Sequence, residues 1–174
     1  LKNLSDCKFL ILGDGNISKY FTNLLKNFSK NINVISLRKI QNIKKNKLKL
    51  KKYDFVINLL PKNKSTTNYI DQNFFKLMSR KSYFINVGRG DTVNEESLFK
   101  ALKQKIINGA AIDVFKKEPL DNSNKLLSLK NCFLSPHTAG WFDKYWLYQT
   151  NLFIYNFQCF INGKKLKNQI KYVY

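Results

Sequence analysis

The sequence has few of the residues that form crosslinks and metal sites. Its 174 residues include only three cysteines and a single histidine. Cys7, Cys132 and Cys159 are odd in number, far apart and without a CxxC pair, which argues against a disulfide framework and a cysteine-rich zinc site. We therefore expect reduced cysteines in the core and no bound metal.

The chain also lacks a long hydrophobic run. No stretch approaches the ~20 uncharged apolar residues that a membrane-spanning helix needs. The first residues, LKNLSDCKF, lack the apolar segment and small-residue cleavage site that are typical of a signal peptide. These absences predict a cytoplasmic protein without a membrane partner.

Acidic residues are scarce: the sequence has 11 Asp and Glu against 31 Lys and Arg, and its formal net charge is +20. Clustered Lys and Arg can bind the phosphates of nucleic acids, and the densest run, 38–52, contains no acid. The other basic residues are widely spread, however, and Asn, Ile, Phe and Tyr are also abundant, as AT-rich codons would produce. We favour a solvated lysine surface and expect no nucleic-acid partner; a nucleic-acid-binding domain is the alternative.

Short apolar runs alternate with amphipathic segments along the chain. The predicted strands are 8–12, 32–37, 53–60, 83–87, 109–114 and 132–134, with 32–37 as a buried strand. The predicted helices are 17–28, 71–78, 94–105 with Asn94 as N-cap, and 143–161. Strands that alternate with helices predict an α/β fold, in which helices surround a parallel sheet.

A glycine turn, GDGNIS (13–18), follows the first predicted strand and precedes a helix. Gly13 permits a tight turn, and Gly15 lets a pyrophosphate approach the backbone at the N-terminus of the helix. Ser18 stands where the dinucleotide-binding pattern has Gly or Ala, and serine is small enough for close packing. The turn predicts a dinucleotide site, with an ordinary strand-to-helix turn as the alternative.

The end of the second predicted strand bears on the choice of cofactor. A site for NAD normally has an Asp or Glu there to hold the ribose hydroxyls. This sequence has Arg38 and Lys39 instead, with no acid. Because arginine pairs well with a phosphate, Arg38 favours NADP over NAD. The alternative is that Arg38 only begins the basic run.

Four further motifs occur in the order found in the D-isomer-specific 2-hydroxyacid dehydrogenase family, which the sequence resembles over about residues 5–174. They are VINLLP with the following Thr66, then FINVGRGD (84–91), then GAAIDVF with EPL (109–120), and NCFLSPHTAG (131–140). The resemblance implies a Rossmann-type doubly wound parallel sheet with helices on both faces, residues 1–140. It also implies a C-terminal helix and tail, 141–174, that return to a substrate domain.

The resemblance implies an NAD(P)-dependent oxidoreductase that acts on a small 2-keto or 2-hydroxy acid with D stereochemistry. Such a reduction needs a hydride donor, a proton donor and a cation for the carboxylate. His137 matches the family's proton donor, Glu118 the carboxylate that orients it, and Arg89 the arginine that binds substrate. Histidine suits reversible proton transfer because it titrates near neutrality.

The remaining positions implied by the glycine turn, the second strand and the family motifs concern the cofactor. Asp113 matches the family's aspartate on the nicotinamide side. The full set of predicted cofactor-binding residues is Gly13, Gly15, Asn16, Ile17, Ser18, Arg38, Leu60, Pro61, Thr66, Val87, Gly88, Asp113 and Gly140.

The sequence departs from the family pattern at its start. In the family, a segment ahead of the cofactor domain begins the substrate domain, whereas this sequence starts almost at the cofactor domain. The C-terminal return matches, through 163–168 and the final Tyr174. We therefore interpret the sequence as the cofactor domain and C-terminal return of a longer enzyme, which the family implies is a homodimer. A catalytically inactive NAD(P)-binding sensing or interaction module is the alternative.

Overall fold

The computed structural model describes residues 2–45 and 50–169 and divides into two compact units, Leu1–Ala139 and Gly140–Tyr174. The first unit contains a six-stranded sheet with the order β2-β1-β3-β4-β5-β6, in which every neighbouring pair is parallel. The strands are β1 (Phe9–Leu12), β2 (Ile32–Ile35), β3 (Phe55–Asn58), β4 (Tyr83–Asn86), β5 (Gly109–Ile112) and β6 (Cys132–Leu134).

Four helices connect these strands: α1 (Asn16–Leu25), α2 (Gln41–Lys45), α3 (Gln72–Lys76) and α4 (Glu95–Lys103). Local capping sets where two of them begin. The Asp71 side chain accepts a hydrogen bond from Phe74 N at 3.0 Å, and the Asn94 side chain accepts one from Ser97 N at 2.9 Å. The predicted N-cap at Asn94 is confirmed.

Helices cover both faces of the sheet because side chains alternate along each strand. Leu10, Val56 and Phe84 lie in one buried cluster, which also includes apolar residues of α2, α3 and α4. Phe9 and Ile57 lie in a second cluster with residues of α1. Each fully buried side chain of this size contributes roughly 1.5–3 kcal/mol through removal from water. The predicted α/β fold with helices on both faces is confirmed.

The structure corrects two details of the sequence analysis. The second strand is not buried: β2 ends at Ile35, and Val34 is 41% exposed, because β2 is an edge strand of the sheet. In addition, α2 was not predicted. Ile43 in α2 and Ile40 just before it are buried in the core, whereas the exposed Arg38 and Lys39 face outward. Of the basic run 38–52, residues 46–49 lie outside the described part of the chain.

The cysteines are free, as predicted, but only two are well buried. Cys7 and Cys159 are buried, whereas Cys132 is half-buried because β6 is the other edge strand. Within residues 2–45 and 50–169, no group of three His, Cys, Asp or Glu side chains is placed to hold a metal ion. None of the helices in these same ranges is long and apolar enough to cross a membrane.

The second unit consists mainly of α5 (Tyr145–Ile161) and a following turn. Its aromatic side chains contact one another, and Phe153 stacks on Phe157 with ring centroids 6.1 Å apart. Most of its large apolar side chains are nevertheless exposed, including Trp146 and Phe160 at 69% and 74%. The predicted family match at Tyr174 lies outside the described residues.

Candidate functional site

The glycine turn lies at the carboxyl end of β1, where the sheet order reverses. From β1 the chain crosses to β2 on one side, and β3 lies on the other side of β1. Ligands of open parallel sheets bind in the crevice at such a switch point. Gly13 has φ +105°. It also lies close to the residue that follows β3, so that a Cβ on Gly13 would stand 2.8 Å from the Leu59 carbonyl oxygen. Only glycine fits this position without strain.

Gly15 immediately precedes α1 and faces open space. Apart from Gly15 itself and its two chain neighbours, no described residue has an atom within 4 Å of where a Cβ on Gly15 would stand. No side chain caps the first turn of α1 within the same part of the chain. Main-chain N–H groups at the start of a helix of this length bind phosphate groups well, since the helix dipole also favours an anion there. The glycine turn therefore fits a dinucleotide pyrophosphate.

A cavity of about 460 Å³ opens from this turn, and we call it the glycine-turn cavity. It is lined by Gly13, Asp14, Gly15, Asn16, Ile17, Ser18, Leu37, Leu59, Leu60, Pro61, Val87, Gly88 and Arg89. Nine of the predicted cofactor-binding residues are in this lining. Sequence reasoning missed Asp14, Leu37 and Leu59 as lining residues, although all three are next to predicted positions.

Asp14 joins the glycine turn to the end of β2. Its Oδ1 accepts a hydrogen bond from Leu37 N at 3.3 Å. The signal for this contact in the sequence is the acid between two glycines, but its partner is 23 residues away. An acidic side chain therefore lies on the cavity wall near Arg38, which is itself exposed and does not line the cavity.

Thr66 and Gly140 also lie off the cavity wall. Thr66 is fully buried, and its hydroxyl donates to the Pro61 carbonyl at 2.6 Å and accepts from Asn63 N at 2.9 Å. The structure thus gives Thr66 a local role, in which it holds the loop that follows β3 in a compact turn. Gly140 begins the second unit.

The three predicted catalytic residues lie around a second, smaller cavity of about 180 Å³, which we call the histidine cavity. Arg89, Glu118 and His137 line it together with Gly90, Asp91, Val114, Phe115 and Lys116. Arg89 lines both cavities. The sequence places these three residues up to 48 positions apart, and the carboxyl ends of the strands bring them together.

Glu118 and His137 form a close pair. His137 Nδ1 lies 2.7 Å from Glu118 Oε2, and Glu118 Oε1 accepts a hydrogen bond from Phe115 N at 2.8 Å. Burial raises the pKa of Glu118, but the hydrogen bonds from Phe115 and His137 outweigh it and hold the pKa below its usual value. Glu118 is therefore an acceptor at neutral pH, so Nδ1 carries the proton in this pair and Nε2 is left for other partners.

Asp113 holds the turn that carries His137. Its main-chain oxygen accepts from His137 N at 2.8 Å, and its carboxylate accepts from Ser135 Oγ at 2.7 Å, Thr138 N at 2.8 Å and Ala139 N at 3.1 Å. His137 itself has φ +56°, an uncommon conformation for residues other than glycine. Burial raises the pKa of Asp113, but the bonds from Ser135 and the two main-chain donors lower it below the usual range. Sequence reasoning placed Asp113 only beside the nicotinamide and missed these hydrogen bonds to the turn that carries His137.

Comparison with known proteins gives the family. Residues 1–139 match the family model described as D-isomer specific 2-hydroxyacid dehydrogenase, NAD binding domain. The chain belongs to this family. The predicted family and its NAD(P) cofactor class are thereby confirmed.

Curated relatives match about half of the chain. A glyoxylate reductase from Thermococcus gammatolerans is 43% identical over 91 residues, which cover 52% of this chain and 27% of that protein. A probable 2-ketogluconate reductase from Dictyostelium discoideum is 44% identical over 84 residues, 48% of this chain and 25% of that protein. The matched segments thus span about a quarter of these relatives' lengths.

Solved structures share the fold over nearly the whole chain. A D-isomer specific 2-hydroxyacid dehydrogenase family protein from Aeromonas salmonicida has a TM-score of 0.84 at 24% identity, covering 98% of this chain and 57% of that one. An NADPH-dependent glyoxylate/hydroxypyruvate reductase from Sinorhizobium meliloti, in complex with NADP and sulfate, has a TM-score of 0.80 at 21% identity with the same coverage. The chain spans about 57% of the length of these structures.

Proposed function

We propose that this chain is the cofactor-binding part of an NAD(P)-dependent oxidoreductase that interconverts a small 2-keto acid and the corresponding D-2-hydroxy acid. The observation that carries the proposal is the grouping of Arg89, Glu118 and His137 around one cavity, with His137 Nδ1 2.7 Å from Glu118. Relatives named glyoxylate reductase and glyoxylate/hydroxypyruvate reductase support a small 2-keto acid as the substrate. Each of the three residues has a separate task in this reaction.

Arg89 binds the substrate carboxylate and polarises the keto oxygen. One of its donors, Nη1, already bonds the Gly88 carbonyl at 2.7 Å, and the planar guanidinium has further N–H donors for an anion. Because Arg89 lines both cavities, an acid bound to it lies beside the nucleotide site. The charge of the guanidinium stabilises the negative charge that develops on the keto oxygen.

His137 supplies the proton. Glu118 accepts a hydrogen bond from Nδ1–H and fixes the orientation of the ring, so that Nε2 is the atom through which the imidazole exchanges a proton with the substrate. The reduced nicotinamide, when bound, supplies the hydride. In the reduction, Nε2 would donate its proton to the keto oxygen, and His137 would end as the neutral imidazole paired with Glu118.

The glycine-turn cavity holds the dinucleotide in this proposal, with Gly13, Gly15, Asn16, Ile17 and Ser18 at the pyrophosphate. We favour NADP because no acid follows β2 and Arg38 is adjacent to the lining residue Leu37. Asp14 is the one acidic side chain in the described lining. Its hydrogen bond to Leu37 N engages Oδ1 of the carboxylate.

The second unit is proposed to belong to the substrate domain. A helix that is apolar all round is normally buried against other elements, and α5 exposes Trp146, Phe153 and Phe160 among others.

Assembly as a homodimer is also part of the proposal. Sedimentation velocity at several concentrations tests it, and a chain that stays monomeric at high micromolar concentration contradicts it.

His137→Ala tests the proposed reaction in the protein that carries this chain together with its substrate-binding segment. We expect the variant to lose reduction of glyoxylate while the Kd of NADPH stays within about twofold, because His137 is absent from the lining of the glycine-turn cavity. Retained turnover in the variant would exclude His137 as the proton donor. A wild-type protein that binds NADPH but reduces no 2-keto acid would instead favour the inactive binding module.

A further inference from the structure

A buried polar network lies between the two cavities, at the carboxyl ends of β3 and β4. Asn58 and Asn86 are the last residues of these strands and are partners in the parallel register. Both are almost fully buried, at 0% and 1% exposed, and so is Thr92, at 0%. Three polar side chains in a core of this kind need hydrogen-bond partners, because an unmade bond there destabilises the fold.

Asn58 stands at the centre of the network. Its Nδ2 donates to Asn86 Oδ1 at 2.7 Å and to Thr92 Oγ1 at 2.8 Å, and its Oδ1 accepts from Leu60 N at 3.3 Å. Both amide hydrogens of Asn58 are thereby used. Leu60 lines the glycine-turn cavity, so Asn58 joins the wall of that cavity to the other two side chains.

The orientation of Asn86 follows from its neighbours. Its Oδ1 accepts hydrogen bonds from Gly88 N at 3.3 Å and from Asn58 Nδ2. Because both partners are donors, the oxygen of the Asn86 amide, and not its nitrogen, must face them. Its Nδ2 then has no hydrogen-bond partner among the described residues. A buried donor without an acceptor is unfavourable, so stability alone does not account for an amide at this position.

The network ends on both sides of Arg89. Thr92 Oγ1 donates to the Arg89 carbonyl at 2.6 Å, and Asn86 Oδ1 receives the N–H of Gly88, the residue before Arg89. The Gly88 carbonyl in turn accepts from Arg89 Nη1 at 2.7 Å. The main chain is thus fixed immediately before and at Arg89, and the guanidinium is tied to the same segment.

We propose that Asn58, Asn86 and Thr92 are positioning residues, which hold Arg89 at the boundary of the two cavities. The network couples this position to Leu60, so the wall of the nucleotide site and the substrate-binding arginine are held by one set of hydrogen bonds. The role of Arg89 towards a carboxylate rests on the proposed function; the positioning of its main chain rests on the network alone. A shift of about 1 Å in such a group is enough to lower a rate by about 100-fold.

The first test uses a matched pair at Thr92 in the 174-residue chain. Thr92→Val keeps the shape but removes the hydroxyl, whereas Thr92→Ser keeps the hydroxyl. We expect amide hydrogen exchange at positions 88 and 92 to be about tenfold faster in Thr92→Val and close to wild type in Thr92→Ser. Asn58→Leu, which breaks the network at its centre, is the second variant and is expected to behave like Thr92→Val.

The second test measures function in the protein that includes its substrate-binding segment. Thr92→Val should raise the KM for glyoxylate about tenfold while the Kd of NADPH changes little, and Thr92→Ser should restore the KM. Oxamate, a keto-acid analogue that resists hydride addition, gives a binding readout without turnover. Its affinity should fall in parallel with the rise in KM.

The two tests separate the two proposals. Exchange rates at positions 88 and 92 that stay near wild type in both Thr92→Val and Asn58→Leu would overturn the positioning role. A wild-type protein that neither reduces glyoxylate nor binds oxamate would overturn the proposed function, and the exchange rates would still decide the positioning role.

Discussion

Gly90 lies directly against the main chain of Phe115. A Cβ built on Gly90 would stand 2.0 Å from the Phe115 carbonyl carbon and 2.5 Å from Lys116 N. These two segments carry Arg89 and lead to Glu118, and both line the histidine cavity. Only a residue without a side chain permits this contact.

Gly90→Ala is therefore expected to be strongly destabilising. The obstructing atoms are main-chain atoms of Phe115, which cannot move aside as a flexible side chain can. We expect the free energy of unfolding to fall by about 3 kcal/mol or more, as in severe overpacking, measured by urea denaturation. Gly140→Ala is the control, because no described residue beyond its two chain neighbours has an atom within 4 Å of its Cβ position. Equal stability of the two variants would contradict the close contact.

The two glycines of the turn should respond differently to the same substitution. Gly13→Ala is expected to lower the free energy of unfolding by about 2 kcal/mol, because of its positive φ and the Leu59 carbonyl. Gly15→Ala should leave stability almost unchanged but weaken NADPH binding by roughly tenfold, about 1.4 kcal/mol, because its Cβ enters the space for the pyrophosphate. Nucleotide fluorescence titration measures the affinity. Unchanged affinity in Gly15→Ala would exclude this turn as the pyrophosphate site.

Arg38 should determine the preference for NADP. Arg38→Asp is expected to weaken NADPH binding and shift preference towards NADH by about tenfold or more, because a carboxylate repels the 2′-phosphate and bonds the ribose hydroxyls. Titration of the chain with both nucleotides at physiological salt measures the ratio. Lys39→Asp is the control for charge, since Lys39 is the adjacent exposed cation. Equal shifts in the two variants would assign the effect to the general field of the basic run.

Asp113 should contribute to stability in a pH-dependent way. Its pKa in the folded chain lies below the ordinary value of 3.8, so its contribution is complete above that value and is lost as the pH falls through the folded pKa. Asp113→Asn should therefore lower stability at neutral pH and flatten its decline below about pH 4. Urea denaturation from about pH 7 to about pH 3 checks this. If the free energy of unfolding of the variant fell as steeply with acid as that of the wild type, Asp113 would not stabilise the histidine turn through its ionised carboxylate.

Much of the fold follows from local sequence. Alternating apolar runs predicted all six strands, and Asn94 was identified as a cap because its residue type and position suffice for that bond. The short α2 was missed because its one buried isoleucine, Ile43, and Ile40 just before it lie within a run of basic residues. The edge position of β2 was also missed, since an apolar strand shows in its own residues neither its neighbours nor its exposure.

The sequence by itself determined the order of the motifs, the glycine turn and the residue types around the site, because these depend on neighbours along the chain. The family resemblance already paired Glu118 with His137, whereas only the tertiary structure decided that Asp113 bonds the histidine turn, that Thr66 is buried behind its loop and that Asn58 reaches Thr92. Those contacts join residues 5 to 34 positions apart. Except for the contact within the Thr66 loop, they exist because parallel strands bring their carboxyl ends to one edge of the sheet, where side-chain geometry selects the partners.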